Sequence, residues 1–379
     1  MTDLTPVLGP PYRTVLKPYG RALAELARAR PEVVCLSGDL TRQCEVDLFA
    51  GEFPGRFIHA GMAEANMIGI AGALARQGLM PFVHSFGVFT TRRPLDQVVN
   101  AVAYPRLPVR IVGFMPGVSS PGGPSHQAIE DMALMRAIPG MTVIDVADAT
   151  ETAQVVAAMA DVPGPVYLRL KRGEIPVVFP GDHRLSLDRA QVLQWRPAAP
   201  AGGADTSAGA GSDGGATRGG AGISEGGCTS GTAPSSDVAL LASGMMVAPA
   251  LAAASVLEAA GAVTVVVNIP VIKPLDIATV LAVATAATAV VTAENHTIIG
   301  GLGSAVAETL AEAGLGRPLR RVGLQDTFAE GAKDAAYLFT KYGLSAQHIV
   351  DTAWSVLDRP GSSPRVPALP VHVGEYAPV

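Results

Sequence analysis

The sequence has few of the features that mark nucleic-acid-binding, disulfide-rich or secreted proteins. Lys and Arg number 28 against 33 Asp and Glu, a formal net charge of −5, and no basic cluster offers a surface for a polyanion. The three cysteines, Cys35, Cys44 and Cys228, are an odd count without metal-ligand spacing, which indicates free thiols in a reducing compartment. The first residues show no basic region followed by an apolar run, as a signal peptide would. We therefore expect a cytoplasmic protein.

A membrane-spanning segment is also missing from the pattern. Between residues 242 and 272 the only charged residue is Glu258, but a spanning helix needs about 20 consecutive apolar residues. Pro249 and Pro270 interrupt the run, and its VTVVV core is β-branched. A helix, a turn and a buried parallel strand account for it better.

The composition that is present favours two globular α/β domains. The chain has 379 residues, of which 49% are apolar, enough for more than one core. Strands alternate with helices over 1–180 and again over 237–358, which predicts parallel sheets covered on both faces. Between them, 197–236 is almost entirely Gly, Ala, Ser, Thr and Asp, and we predict a disordered, flexible linker. The Pro-containing segment 359–379 is predicted to be an extended tail.

Two local predictions bear on the later argument. The spacing of apolar residues predicts a helix over Gln127–Ala137, after a loop that contains GVSSPGGPS. In the second domain the segment ENHTIIGG, which begins at Glu294, is predicted to be a polar turn that leads into a helix.

One stretch of the first domain combines an acid with two aromatic residues. Glu64 opens a helix that is predicted to run to Gln77, and Phe86 and Phe89 lie three residues apart at the end of the next strand. A carboxylate and two rings in this arrangement suit a flat, basic heterocycle. Each residue also has a purely structural explanation: the helix dipole favours an acid in the first turn, and phenylalanines after a strand commonly pack in a core.

Further polar residues are predicted to converge on the same edge. In open parallel sheets ligands bind outside the carboxyl ends of the strands. The turns SGDLT, HAGMAE, SFGVFTT and GVSSPGGPSHQ each follow a predicted strand, and RLKRG ends a fifth. His126 and Arg172 should therefore lie near Glu64, although a histidine can simply cap a helix and a basic residue at a strand end is commonly solvated.

Several of these segments resemble a known family. GMAEANMIGIAGALA, PFVHSFGVF, GGPSHQAIEDMALMRAIPGMTV and PVYLRLKRG look like the pyrimidine-binding domain of transketolase and 1-deoxyxylulose-5-phosphate synthase. ENHTIIGGLGSAVAE and NIPVIKPLD look like the C-terminal domain of the same thiamine diphosphate enzymes. The resemblance implies a thiamine diphosphate-binding fold in the first domain and a transketolase C-terminal-like fold in the second.

The resemblance implies roles for residues around the cofactor. The glutamate at the position of Glu64 hydrogen-bonds N1′ of the aminopyrimidine in this family and promotes loss of the thiazolium C2 proton. An aromatic ring at Phe89 stacks on the pyrimidine and Phe86 lines the same pocket. Asp39, in SGDLT, is similar to an acid near the thiazolium.

It also implies residues that contact the substrate, with two departures. His126 is at the position of a histidine that contacts substrate oxygens, and Arg92 and Arg172 match positions that hold a substrate phosphate. Gly122 stands where the family carries an aspartate that contacts a substrate hydroxyl. Phe114 stands where transketolases carry a second histidine of the active site. Both changes leave the sugar substrates open.

The chain shows no counterpart of the family's diphosphate-binding domain. No G-D-G followed by Asn occurs at a suitable spacing, and Gly181-Asp182-His183 breaks that pattern. A diphosphate bound through Mg²⁺ needs a cage of oxygen ligands, and we expect no metal ligands in this chain. The resemblance therefore implies the C-terminal half of a split transketolase, in which a separate subunit holds the diphosphate and the metal, this half homodimerises, and the assembly is a heterotetramer.

The function predicted first is transfer of a two-carbon ketol unit from a ketose phosphate to an aldose acceptor. A half-enzyme similar to 1-deoxyxylulose-5-phosphate synthase, or one that decarboxylates a 2-oxo acid, remains open because of Gly122 and Phe114. A non-catalytic partner subunit is the alternative from another class. The joint presence of Glu64, His126 and both phenylalanines favours a catalytic chain.

Overall fold

The computed structural model describes residues 13–196 and 235–367. Most of the predicted linker and residues 368–379 of the predicted tail lie outside them. The strands are β1 Thr14–Leu16, β2 Val33–Ser37, β3 Phe57–His59, β4 Met80–Phe86, β5 Arg110–Phe114, β6 Thr142–Asp145, β7 Val166–Leu170, β8 Glu174–Pro176, β9 Gln191–Arg196, β10 Ser236–Ala242, β11 Thr264–Asn268, β12 Val271–Lys273, β13 Ala287–Thr297 and β14 Leu319–Leu324.

The α-helices are Pro18–Ala29, Asp47–Glu52, Glu64–Arg76, Gly87–Thr91, Leu95–Gln97, Asp131–Ala137, Ala149–Ala160, Val247–Ala259, Ile277–Ala286, Leu302–Glu312, Ala335–Lys341 and Ala346–Val356. A π-helical segment, Val98–Ala103, continues from the helix Leu95–Gln97. In the described part of the chain, none of these helices combines the length and the hydropathy that crossing a bilayer requires.

The first sheet has seven strands in the order β12-β6-β7-β5-β4-β2-β3. Every pairing in it is parallel except the one between β12 and β6. Strands β2, β4, β5 and β7 are buried along their whole length, because helices cover both faces of the sheet. Their sequences are accordingly mostly apolar, and the polar residues that they contain, such as His84 and Arg169, are buried as well.

The second sheet has five strands in the order β14-β13-β10-β11-β9, with β9 antiparallel to β11. The predicted class, two α/β domains built on mostly parallel sheets, is confirmed. The two halves are interlocked, since β12 comes from the second half of the chain and pairs with β6 in the first sheet. One apolar cluster also spans both halves and includes Met132 and Met135 together with Ile272 and Leu302.

The predicted turn at Glu294 is wrong. Glu294, Asn295 and His296 continue strand β13, and all three are buried; the helix begins only at Leu302. Their polar groups are satisfied by the first half of the chain and by the start of that helix, so buried polar residues here extend a strand and do not end it.

The predicted helix over Gln127–Ala137 begins four residues later, at Asp131. Residues Pro124–His126 form a 3₁₀ turn, and the side-chain amide of Gln127 donates to the carbonyl oxygens of Ser120 (3.0 Å) and Glu330 (3.1 Å). These bonds fix the loop before the helix. The segment that carries His126 is therefore held in place by both halves of the chain.

Candidate active site

The polar turns of the first half lie at one edge of its sheet. Because β2, β3, β4, β5 and β7 are parallel, the segments that follow them leave the sheet on the same side. The SGDLT, HAGMAE, SFGVFTT, GVSSPGGPSHQ and RLKRG segments are thus placed as the alternation of strands and helices predicts.

Glu64 is the first residue of its helix and is only 3% exposed. Burial follows from the helix, which packs Met67, Ile68 and Ala71 into the core and so draws its first turn inward. Both carboxylate oxygens accept hydrogen bonds from Nη1 of Arg93, at 2.9 and 3.1 Å. The Arg93 side chain itself is about half exposed (51%).

Three rings adjoin this ion pair. Phe86 and Phe89 lie stacked, with centroids 6.1 Å apart and planes at 19°. The imidazole of His126 meets Phe89 edge-on at 5.4 Å. The guanidinium of Arg93 lies over the Phe89 ring, 4.1 Å from its centroid. Glu64, Phe86, Phe89 and His126 are therefore brought together, and Arg93 joins the carboxylate to the rings.

His126 is held by its own loop. The Ser125 hydroxyl lies 2.9 Å from Nδ1 of His126, so Nδ1 is engaged and Nε2 is left for another partner. Gly122 lies against the imidazole: a Cβ there would be 3.0 Å from Cβ and 3.2 Å from Cγ of His126. Glycine at this position lets the ring lie close to the loop backbone.

Arg92 faces away from the Glu64 carboxylate. Its guanidinium forms an ion pair with Glu130, with Nη2 2.7 Å from Oε2, and donates to the carbonyl oxygens of Pro124 (3.0 Å) and Gln127 (3.1 Å). The hydrogen bond to Glu130 raises the pKa of Arg92 above its usual value. Arg92 thus ties the His126 loop to the helix Gly87–Thr91, of which it is the C-cap residue.

Asp39 and Arg172 are exposed after β2 and β7. Both lie close enough to the buried thiol of Cys44 to affect it: burial raises the pKa of Cys44, Arg172 lowers it and Asp39 raises it. Within residues 13–196 and 235–367, no hydrogen bond or ring contact links either side chain to the Glu64 cluster. Both residues therefore lie at the predicted edge of the sheet, without a described contact to Glu64 or the rings.

Phe114 is not in the cluster either. It is fully buried at the end of β5 and packs edge-on against Tyr19, with centroids 5.5 Å apart. Among the described residues, no group of three or more His, Cys, Asp and Glu side chains is arranged to hold a metal ion.

Sequence reasoning missed Arg93, although it selected its neighbour Arg92. The two arginines are adjacent before Pro94, and only the fold shows that they point to different acids, Glu64 and Glu130. One sequence signal points to Arg93: consecutive side chains in a turn between two helices project in different directions, so either arginine of the pair could face Glu64.

A buried ionic network under the site was also missed. Arg169 is fully buried and donates to Asp131 at 2.8 and 3.1 Å and to Asp145 at 3.0 Å. Tyr167 donates to Asp131 at 2.6 Å, and Ser243 from the second half donates to Asp145 at 2.9 Å. The second half is thereby tied to the base of the His126 loop, because Asp131 starts the helix that follows this loop.

The segment Glu294–His296 completes this network. Arg169 also donates to the Asn295 carbonyl at 3.0 Å. The Glu294 carboxyl accepts from the backbone N–H groups of Leu302 (2.7 Å) and Gly303 (2.8 Å), and burial raises its pKa to about 7. Burial lowers the pKa of His296 to about 4, so this imidazole is neutral at physiological pH.

Comparison with known proteins assigns each half of the chain to a domain of one family. The family profile "Transketolase, pyrimidine binding domain" matches residues 13–177, and "Transketolase, C-terminal domain" matches residues 231–349. The chain is 39% identical over 343 residues to the 6-deoxy-6-sulfo-D-fructose transketolase subunit SqwH of Clostridium sp. (strain MSTE9), covering 90% of this chain and 94% of that subunit.

Two further relatives match most of this chain; the first is of similar length and the second is a longer enzyme. A solved structure of a split-gene transketolase, an inactive β4 tetramer, superposes with a TM-score of 0.73 at 36% identity and covers 91% of this chain and 99% of that one. The 1-deoxy-D-xylulose-5-phosphate synthase of Dictyoglomus thermophilum is 28% identical over 91% of this chain, which spans only 50% of that enzyme.

Proposed function

The chain belongs to the transketolase family, and we propose that it is the C-terminal subunit of a split, thiamine diphosphate-dependent transketolase. The observation that carries the proposal is the contact between a buried acid and the ring cluster: Glu64 is linked through Arg93 to Phe89, which touches His126. Relatives of the same length that are themselves subunits support it.

The residues present fit the pyrimidine end of the cofactor. Glu64 offers two acceptor oxygens in an otherwise apolar surrounding, and Phe89 offers a ring face beside them. The Arg93 guanidinium, which is flat and donates N–H groups, already occupies both at 2.9–3.1 Å and 4.1 Å. A site that accommodates this group has the shape and the donor–acceptor character that an aminopyrimidine needs.

Each residue of the cluster has a defined task in the proposal. Glu64 holds a proton at N1′ of the pyrimidine, and its burial keeps water from competing for that atom. Phe89 and Phe86 orient the ring. When bound, thiamine diphosphate supplies the carbon nucleophile with which carbon–carbon bonds are broken and formed. With the Ser125 hydroxyl donating to Nδ1, Nε2 carries the ring proton, and His126 donates from Nε2 to an oxygen of the substrate.

The predicted substrate contacts remain proposals. Arg172 and Asp39 are exposed at the same edge of the sheet, and we assign Arg172 to a phosphate group and Asp39 to the thiazolium end. Arg92 is tied to Glu130 and two carbonyl oxygens, so its role toward a phosphate would require that it also release Glu130. We therefore place the phosphate nearer to Arg172.

The proposed assembly needs a second chain. We propose that a subunit with the diphosphate-binding domain supplies the Mg²⁺ ligands and that two copies of each chain form a cytoplasmic heterotetramer. The solved relative forms an inactive tetramer of its own β chain, and by the same reasoning this chain alone should not turn over substrate. Domain limits of 1–180 and 237–358 are part of this proposal.

A half-enzyme related to 1-deoxyxylulose-5-phosphate synthase is the second candidate. The observation in its favour is that this chain matches half of such a synthase, combined with Gly122, which brings no carboxylate to the His126 loop. In that case the donor would be a 2-oxo acid, and carbon dioxide would leave in each turnover.

The two functions are separated by one experiment. The chain is mixed with its partner subunit, thiamine diphosphate and Mg²⁺, and supplied with an aldose acceptor and either a ketose phosphate or pyruvate. Transfer of a two-carbon unit from the ketose phosphate without release of carbon dioxide is the expected result. Release of carbon dioxide from pyruvate would support the second candidate, and cofactor binding without product from either donor would support a non-catalytic subunit.

A further inference from the structure

The ion pair between Arg93 and Glu64 uses the groups that the proposed function assigns to the cofactor. One guanidinium nitrogen lies within hydrogen-bond distance of both oxygens of Glu64, at 2.9 and 3.1 Å. The same guanidinium lies flat over Phe89, 4.1 Å from the ring centroid. A pyrimidine whose N1′ is hydrogen-bonded to Glu64 and whose ring stacks on Phe89 would use the same carboxylate oxygens and the same ring surface.

The two groups are chemically alike. Guanidinium and an aminopyrimidine protonated at N1′ are both planar cations, and each presents an N–H donor to a carboxylate. A carboxylate that is 3% exposed is costly without a partner, because a buried charge that loses its counterion is strongly destabilising. Arg93 supplies the compensation.

The Arg93 side chain is also exposed enough to move away from Glu64. Its side chain is 51% exposed against 4% for that of Glu64, so the guanidinium can move into water while the acid stays. It lies in the turn between the helix Gly87–Thr91 and Pro94. Its neighbour Arg92 contrasts with it, since three acceptor groups, Glu130 and the carbonyls of Pro124 and Gln127, hold that guanidinium.

We propose that Arg93 is a displaceable placeholder: it neutralises Glu64 until the cofactor's pyrimidine takes over both the carboxylate and the Phe89 ring. This inference rests on the proposed function, since it assumes that the pyrimidine binds at Glu64. Because Arg93 must leave first, the apparent affinity for the cofactor is the intrinsic affinity multiplied by the fraction of molecules in which Arg93 has released Glu64. Arg93 is thus a residue that sets the cofactor affinity and does not take part in proton transfer.

The first test measures the ion pair in the isolated chain. Thermal unfolding is followed for the wild type, Arg93→Gln, Glu64→Gln and the double variant. Arg93→Gln should lower the Tm, and adding Glu64→Gln should restore part of the loss, because the double variant no longer buries an unpaired charge. If the two effects simply add, the pair does not stabilise Glu64 and the placeholder role is refuted.

The second test measures cofactor binding by the complex of this chain with its partner subunit. Isothermal titration with thiamine diphosphate and Mg²⁺ should give a Kd about tenfold lower for Arg93→Gln than for the wild type, which corresponds to removal of a competing contact of about 1.4 kcal/mol. Arg76→Gln, which removes an arginine charge from the far end of the helix that Glu64 begins, should leave the Kd unchanged. Arg93→Lys, which keeps the charge but loses the planar fork, should give a smaller decrease and serves if Arg93→Gln does not fold.

The outcomes separate the two claims. If the wild-type complex binds the cofactor and Arg93→Gln leaves the Kd unchanged or raises it, the placeholder role alone is refuted, because Arg93 would then not compete with the cofactor. If the wild-type complex bound no thiamine diphosphate at all, the proposed function would fail and the placeholder role with it.

Discussion

The side chain of Asn295 holds the backbone of Val118, although the two residues are 177 positions apart in the chain. Its Oδ1 accepts from the Val118 N–H at 3.0 Å, and its Nδ2 donates to the Pro116 carbonyl at 3.0 Å. Gly117 lies so close that a Cβ there would be 2.2 Å from Asn295. The second half of the chain thereby fixes the start of the loop that carries His126.

Replacing Asn295 by alanine should destabilise the chain and loosen this loop. The Val118 N–H would be buried without a partner, at a cost of about 1–3 kcal/mol, whereas the Pro116 C=O would keep the Ser119 hydroxyl as a donor at 2.6 Å. Chemical denaturation measures the loss. Asn295→Asp keeps the acceptor for Val118 but sets a buried carboxylate oxygen against the Pro116 carbonyl, so its loss should be smallest at acid pH, where the carboxyl is protonated and can donate to Pro116; a loss that does not change with pH would contradict this account.

The buried position of Arg169 predicts a large effect at Asp131. Asp131→Asn leaves the guanidinium with Asp145 as its remaining carboxylate partner and should lower the free energy of unfolding by about 1.5–3 kcal/mol, the usual contribution of hydrogen bonds to a charged group. Glu308→Gln is the control, because Glu308 pairs with Arg136 while 58% exposed and such pairs contribute about 0–1 kcal/mol. Similar losses in the two variants would mean that the buried network does not hold the halves together.

Glu294 should make stability depend on pH. Burial raises its pKa to about 7 in the folded chain, whereas an unfolded glutamate titrates near about 4.3. A raised folded pKa means that the stabilising contribution is complete below the unfolded pKa and is lost as the pH rises through about 7. Between these values, the stability of the wild type relative to Glu294→Gln should fall by up to about 1.4 kcal/mol per pH unit. Denaturation of both proteins at several pH values checks this, and a constant difference would contradict it.

Gly122 should affect turnover more than folding. An alanine Cβ would meet His126 at 3.0 Å, so the imidazole must shift by a few tenths of an ångström. We expect kcat/KM of the reconstituted complex to fall by about tenfold, since small displacements of a catalytic group are costly, with little change in stability. Gly181→Ala is the control because nothing lies within 4 Å of a Cβ there. Unchanged kinetics for Gly122→Ala would show that the loop does not position His126 for the reaction.

Local pattern was enough to predict the strands that the first half of the chain contributes to the first sheet, and the grouping of Glu64 with Phe86 and Phe89. Strand β7, Val166–Leu170, lies between turns and is apolar except for Arg169, and short, mostly apolar runs of this kind are typical of buried parallel strands. Glu64, Phe86 and Phe89 occupy one short stretch, so their spacing in the chain largely determines their spacing in the fold.

The missed features all depend on contacts between distant segments. Glu294–His296 reads as a turn because it is polar, and only its partners in the other half, such as Val118, make it the end of a buried strand. Strand β12 is three residues long and is stabilised by a sheet formed by the other half. The sequence does not distinguish Arg92 from Arg93, whereas the fold pairs Arg92 with Glu130 and Arg93 with Glu64.

The central claim, that Glu64 activates the cofactor by holding a proton at N1′, is tested most directly without any sugar substrate. The complex with the partner subunit is loaded with thiamine diphosphate and Mg²⁺, and NMR of quenched samples gives the rate at which the C2 proton of the bound cofactor exchanges with D₂O. Glu64→Gln should assemble and bind the cofactor but exchange this proton at least about 100-fold more slowly, the usual contribution of a positioned acid or base. An exchange rate equal to that of the wild type would contradict the role assigned to Glu64.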